Sequence, residues 1–323
     1  MRRPGRITST IVVGWVVLSF FLLFTVANSI AQGDLSALTD EFDNPASLAD
    51  WSRVYQTESW GANQLEEFDI DTTRPGWARM VPYSSSWFDN WRGVLAYKLV
   101  EGDFVVTTRV QSRNRAETGP PGSQYSLAGI MIRTPRNITP ATWTPGGENY
   151  IFLSFGAAGD PGTYQFEVKT TLNSDSDLVY EDIASDEATI QAARFGEVFI
   201  LLRRTPTANW TVHRRYHRPD MPEELQVGMT CYTDWPLVEM TDPFTHNGTV
   251  YSGTGNPDLV ASFEYYRFGN IEIPPSLMGL DLLDEGEVPD SALLSFLGDN
   301  LPSGGPTPTP TPPPSSVSNW RLY

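Results

Sequence analysis

The chain is short of the residues that metal, redox and nucleophilic chemistry most often use. It has one cysteine, Cys231, and three histidines, His213, His217 and His246, in 323 residues. One cysteine excludes an intrachain disulfide. Its place in an apolar, strand-like segment makes it a small buried hydrophobe. His213 and His217 have the i, i+4 spacing that on a helix builds one side of a metal site. The segment Trp210–Tyr216 alternates like a strand, however, which sets the two about 13 Å apart. There is no Gly-rich phosphate loop, no Gly-x-Ser-x-Gly and no Cys/His cluster. Phosphoryl transfer, acyl transfer and redox chemistry therefore lack a motif. Positive charge is scarce as well, with 22 Lys+Arg against 39 Asp+Glu and a net charge of −17. That excludes nucleic acid and an anionic membrane surface as partners, because phosphate binding needs a basic footprint.

Only one apolar run approaches the length of a membrane span, the 17 residues Ile11–Ala27. Arg2, Arg3 and Arg6 precede it, and Ser29-Ile30-Ala31 offers small residues at a cleavage point. This is the pattern of a secretory signal peptide over residues 1–31. Left uncleaved, the same segment would be a membrane anchor, at the short edge of the spanning length. No cysteine stands directly after the run, so lipid attachment is not indicated. An exported chain without disulfides points to a bacterial source, secreted or held at the cell surface. The sequons at Asn137, Asn209 and Asn247 are then coincidental.

Aromatics are abundant, with 10 Trp, 13 Tyr and 16 Phe. Apolar residues recur at every second position over long stretches, the period of strands. Phe104, Val106, Thr108 and Val110 share one face. Ile151, Leu153 and Phe155 alternate with Tyr150, Phe152 and Ser154, and Tyr164, Phe166 and Val168 alternate with Gln165, Glu167 and Lys169. Val198–Leu202 is continuously apolar, as in a strand covered on both faces. Gly119-Pro120-Pro121-Gly122, Pro145-Gly146-Gly147, Gly159-Asp160-Pro161-Gly162 and Gly253-Thr254-Gly255-Asn256-Pro257 punctuate the strands. About a dozen strands over residues 32–274, with no long amphipathic helix, predict an all-β, two-sheet antiparallel jelly-roll sandwich. Residues 275–302 are acidic, with a short helix expected at Pro289–Gly298 on the sandwich edge or in a linker. Residues 303–323 carry a Thr/Pro repeat that reads as a semi-rigid spacer toward a possible partner domain.

Three strand motifs carry a resemblance. Leu127-Ala128-Gly129-Ile130-Met131-Ile132-Arg133, Leu225-Gln226-Val227-Gly228-Met229-Thr230 and Ala261-Ser262-Phe263-Glu264-Tyr265-Tyr266-Arg267-Phe268 resemble the concanavalin-A-like lectin/glucanase superfamily. Within it they look closest to bacterial enolase-regulator-type domains and to the C-terminal sandwich of bacterial β-xylosidases. The resemblance covers roughly Phe42 to Ile273 and implies a sugar ligand without specifying chemistry. Retaining glucanases of that group carry Glu-x-Asp-x-x-Glu on a concave strand. Here Glu67-Phe68-Asp69-Ile70-Asp71-Thr72 lacks the last acid, and retention needs two close carboxyls. The resemblance also raises a structural calcium where first and last strands meet, with Asp40, Asp43 and Asn44 as the nearest oxygen donors.

Two groups of residues are candidates for sugar binding. The first is the aromatic loop holding Trp77, Tyr83, Trp87, Phe88 and Trp91, with Arg79 and Arg92 between them. Sugar rings stack on aromatic faces, and arginine forks bind hydroxyls or carboxylates. The second is an outward row on one sheet. If Ile130 and Ile132 face the core, Arg133 faces away, and the same parity brings Tyr150, Gln165, Glu167 and Lys169 with it. Glu148 and Glu167 are the carboxylates to test for catalysis. The cluster Arg203, Arg204, Arg214, Arg215 and Arg218 is a local basic patch that could meet an acidic glycan or simply be a solvated strand face. The leading expectation is a non-catalytic module that binds polysaccharide or a cell-surface glycan. A glycoside hydrolase or lyase with non-standard carboxylates is the second. A structural or adhesive sandwich is the third, and it predicts buried aromatics at Trp77–Trp91 and a concave face filled by loops.

Overall fold

The computed structural model describes residues 33–301. The expected signal segment and the Thr/Pro repeat lie outside the described residues. In chain order the strands are β1 (Ser52–Arg53), β2 (Leu65–Ile70), β3 (Ala78–Pro82), β4 (Ala96–Glu101), β5 (Phe104–Arg113), β6 (Ser126–Arg133) and β7 (Tyr150–Ala157). They continue as β8 (Gln165–Leu172), β9 (Asp175–Asp182), β10 (Ala188–Phe195), β11 (Val198–Arg204), β12 (Thr211–His217), β13 (Glu224–Tyr232) and β14 (Val260–Gly269). They form two seven-stranded sheets, all neighbours antiparallel. The front sheet runs β1-β4-β13-β6-β7-β8-β9, and the back sheet β12-β11-β10-β5-β14-β3-β2. The expected two-sheet sandwich is thus what the chain builds. Among the described residues no helix is long and apolar enough to cross a membrane.

The core follows from the period of two. Ile130, Ile132, Ile151, Leu153, Phe155, Phe166, Val168, Val227 and Met229 of the front sheet meet Val106, Val110, Ile190, Ala192, Phe263 and Phe268 of the back sheet in one buried cluster. Cys231 belongs to it, and burial pushes its thiol pKa well up, so it stays an inert hydrophobe. Each large side chain buried there contributes roughly 1.5–3 kcal/mol. β9 and β10 are the strands least visible in the sequence. β9 is an exposed edge rich in Asp and Glu, and β10 is buried on both faces, so neither alternates cleanly.

Two glycines let the front sheet close. A Cβ on Gly228 would sit 2.0 Å from the Ala96 carbonyl oxygen, and one on Gly129 would sit 2.1 Å from that of Leu153. Backbone cannot give way as a side-chain tip can. Gly228→Ala is therefore expected to cost about 1–3 kcal/mol through overpacking, read as a lower urea midpoint with unchanged m-value. An unchanged midpoint would show that the two strands have slack.

The back sheet is covered too. Ile271, Leu277, Leu282, Val288, Leu293, Phe296 and Leu297 pack on Val105, Ala193, Phe195, Ile200 and Leu202. This explains the unbroken apolar run in β11: Phe199 and Leu201 enter the main core, while Ile200 and Leu202 meet the C-terminal segment. Acidic residues of that segment dock on the basic cluster. Arg204 pairs with Asp299 at 2.5 Å, and Arg215 binds Asp290 and the carbonyls of Leu282 and Val288. The regular helix is shorter than the expected span, Asp290–Leu294, because Gln191 pins the chain beyond it by exchanging two hydrogen bonds with the backbone of Gly298.

Candidate functional site

The outer face of the front sheet carries the second group of candidate residues. Register pairs Arg133 with Tyr150, and Phe152 with Lys169, so Arg133, Tyr150, Gln165, Glu167 and Lys169 share the face turned away from the core. None of the five is more than 1% exposed. The loop after β3 lies over them and is tied at many points. Ser85 forms a bridge with Thr233. Trp87 Nε1 donates to Val94 O at 2.7 Å, and Trp91 Nε1 donates to Thr241 O at 2.9 Å. Asp89 and Ser176 exchange two hydrogen bonds. Arg92 N donates to Asn247 Oδ1 at 2.8 Å, so the buried Asn247 is a structural amide, closed to glycosylation.

At one end of this face lies a buried cluster of charges. Arg133 donates to both oxygens of Glu148, at 2.7 and 3.2 Å, to Glu58 Oε1 at 2.8 Å and to Gln226 Oε1 at 2.7 Å. Arg136 reaches Glu148 Oε1 at 2.5 Å, and Arg92 Nη2 approaches Glu58 Oε2 at 2.5 Å. Burial alone would raise the Glu148 carboxyl, but Arg133, Arg92 and Arg136 hold it down at about 2. Burial likewise works against the Arg133 cation, and Glu148 and Glu58 overcome it. Glu148 is therefore a fixed anion, unsuited to take up a proton near neutral pH.

At the centre of the face, Lys169 Nζ donates to Trp87 O at 2.8 Å and to Tyr232 Oη at 2.6 Å, and lies 3.3 Å from Glu167 Oε1. Tyr232 Oη in turn donates to Glu167 Oε1 at 3.2 Å. Burial lowers the Lys169 pKa, partly opposed by Glu167. Glu167 Oε2 is buried and has no hydrogen-bond partner. Directly over Lys169 is a hollow of about 80 Å3, lined by Ser86, Phe88, Tyr125, Lys169, Leu178 and Trp235. Trp235 packs edge-on against both Phe88 and Trp91, with centroids 5.3 and 5.5 Å apart. Three non-glycine residues with positive φ adjoin the hollow: Asp89 at 45°, Tyr125 at 52° and Asp234 at 67°. For a residue as bulky as Tyr125 that is a strained conformation, of the sort that clusters at binding sites.

The aromatic loop therefore divides into separate places. Trp77 lies in the β2–β3 hairpin under the guanidinium of Arg74, 3.5 Å from the ring centre. Tyr83 lines an open cleft of about 420 Å3 with Glu66, Arg115, Ser252, Gly253, Thr254, Gly255 and Pro257. Trp87 is fully buried between Tyr150 and Arg133, and Arg92 lies under Trp60. Only Phe88 and Trp91 reach the rim, as half-buried rings. Glu67 is paired with Arg79 at 2.9 Å, and Asp69 caps Thr72 and Thr73. His213 accepts from Arg203 Nε at 2.9 Å, and burial with Arg203 and Arg214 lowers its pKa to about 3.

The proposed calcium donors are engaged elsewhere. Asp40 accepts from Phe42 N and Trp51 Nε1, both at 2.9 Å, and Asn44 accepts from Ala46 N at 3.1 Å. Asp43 is exposed, and among the described residues no group of three or more His, Cys, Asp or Glu could hold a metal ion. These residues do not fit the calcium that the resemblance implied.

Sequence reasoning passed over Trp235, Tyr125 and Glu58. Trp235 follows a strand directly, in Thr233-Asp234-Trp235-Pro236, and a lone tryptophan in a polar turn was the available signal. Glu58 carried none, since its partners are distant in sequence.

No protein-family profile matches the sequence, and no curated protein does. Among solved structures, a functionally unknown protein from Saccharomyces cerevisiae is 13% identical, with a TM-score of 0.47 over 70% of this chain and 99% of that one. The GH43 protein BlXynB from Bacillus licheniformis is 12% identical, with a TM-score of 0.45 over 71% of this chain and 38% of that one. A prokaryotic β-1,3-1,4-glucanase (lichenase) from a mouse hindgut metagenome is 13% identical, with a TM-score of 0.40 over 71% and 97%. All three lie below 0.5, so the architecture rests on the strand pairing of the chain itself.

Proposed function

We propose that this is a secreted or cell-surface, non-catalytic sandwich that binds one sugar residue of a glycan in the hollow above Lys169. The observation that carries the reading is a hollow whose walls are the aromatic rings of Phe88, Tyr125 and Trp235 and whose polar lining is Ser86 and Lys169. Sugar rings offer both an apolar face for stacking on these rings and hydroxyls for a polar group such as the Ser86 hydroxyl. A non-catalytic role fits because the carboxyls nearest this face, Glu58, Glu148 and Glu167, are each buried and ion-paired rather than set as an acid and base pair. The Thr/Pro repeat would hold the sandwich away from a wall or a partner domain.

The structural reading is the second. It is favoured by the loops that fill the outer face of the front sheet and bury Trp87. The two separate in one experiment: a glycan array probed with the full chain and with Trp235→Ala. Trp235 is half-buried at the rim. Its loss is expected to weaken binding at least tenfold while leaving most of the stability in place. Absence of binding to any glycan by the folded wild type sinks the sugar reading and leaves the structural one.

A further inference from the structure

Five basic and acidic side chains meet at the end of the front sheet, and they do not balance. Arg92, Arg133 and Arg136 carry three positive charges, and Glu58 and Glu148 carry two negative ones. Four of the five are no more than 3% exposed, and Arg136 is 11% exposed. An excess cation taken out of water is costly unless a counter-charge accompanies it. The excess falls on Arg92. Its pKa is lowered to about 10, because burial is only partly offset by Glu58 and Glu148 and is reinforced by Arg133 and Arg136.

Unpaired hydrogen-bond donors occur on Arg92 and on the aromatic group packed beside it. Arg92 Nη1 is buried without an acceptor, and so are the indole N–H groups of Trp60 and Trp143. The Arg92 guanidinium is 5.0 Å from the Trp60 ring centre. Trp60, Trp143 and Phe244 pack on one another with centroids 5.7 to 6.1 Å apart. His246, one residue from the Asn247 that binds Arg92, is held neutral by burial, with a pKa of about 4, so it adds no further positive charge. Orphaned donors beside an unbalanced cation need an acceptor that carries negative charge.

We propose that the Arg92 guanidinium, beside the Trp60–Trp143–Phe244 group, binds a small monovalent anion, halide or carboxylate. The site is separate from the hollow above Lys169 and does not depend on the glycan reading. Water could satisfy the donors but leaves the charge excess in place, and that distinction decides the test.

Thermal unfolding of the full chain is followed in chloride, bromide, acetate and gluconate at constant ionic strength. Binding predicts a melting temperature that rises by about 3–5 °C for each tenfold increase of the preferred ion above its Kd. Gluconate, the bulkiest of the four, is the reference ion and is expected to give the lowest melting temperature. Halide against acetate identifies whether a free ion or a carboxylate is the natural occupant. Arg92→Gln removes the excess charge, and its melting temperature is expected not to depend on the ion. Should that variant not fold, bromide-soaked crystals of the wild type give an independent reading, with an anomalous peak at Arg92 Nη1 expected. Equal melting temperatures in all four salts, or no bromide peak at saturation, overturn the proposal.

Discussion

Glu148→Gln is expected to lower the unfolding free energy by about 3–5 kcal/mol, because removing one partner of a buried ion cluster strands the others. The substitution keeps the shape of the side chain and removes only its charge. Three arginines, Arg92, Arg133 and Arg136, would then face Glu58 alone. For a chain of this size the loss corresponds to roughly 6–20 °C in melting temperature. A loss under about 1 kcal/mol would mean that water reaches the cluster and screens it as it screens surface pairs.

The same residue sets an acid limit, and its sign follows from linkage. The folded Glu148 carboxyl sits at about 2, below its ordinary 4.5. A depressed carboxyl contributes stability that is present in full above pH 4.5 and is lost as pH falls toward 2. Wild-type protein should therefore lose stability steeply across that window, and Glu148→Gln should lose less there despite starting lower. Parallel pH profiles for the two would place the acid sensitivity in other carboxyls.

The parts of the molecule that were legible in its sequence are those set by local alternation. The Ile130/Arg133 parity and the Tyr150–Phe155 pattern assign side chains to the correct faces, because a strand has only two faces to choose between. What covers those faces was not legible. Arg133, Glu167 and Lys169 look like solvated residues on an outer face, and they are buried because loops from the 83–94, 134–149 and 233–258 regions close over them. That closure depends on contacts such as Ser84 Oγ to Asp234 Oδ2 at 2.6 Å, across 150 residues, which no local pattern encodes. Arg204 and Arg215 illustrate the same limit. Their acidic partners could be seen as an acidic segment, but the pairing with Asp299 and Asp290 is a fact of tertiary structure.

Trp87→Ala is expected to cost about 3–5 kcal/mol, the usual range for deleting a buried tryptophan. The side chain is fully buried, packs edge-on to Tyr150 at 5.6 Å, and stands 5.4 Å from the Arg133 guanidinium. Its loss opens a cavity beside two buried charged groups, Arg133 and the Lys169 amine bonded to Trp87 O. Trp87→Phe keeps much of the packing. It gives up the hydrogen bond to Val94 O, but that oxygen still accepts from Thr230 Oγ1 at 2.6 Å, so no acceptor is orphaned. Its cost should be about 1–2 kcal/mol. The difference matters for any binding study. A sugar-binding assay on Trp87→Ala alone would report the fraction unfolded, whereas Trp235→Ala reports the hollow itself. Chemical denaturation of both variants, run beside the binding measurement, separates these causes. If Trp87→Ala folds as stably as wild type yet fails to bind, Trp87 contacts the ligand, and the loop over the front sheet opens in solution.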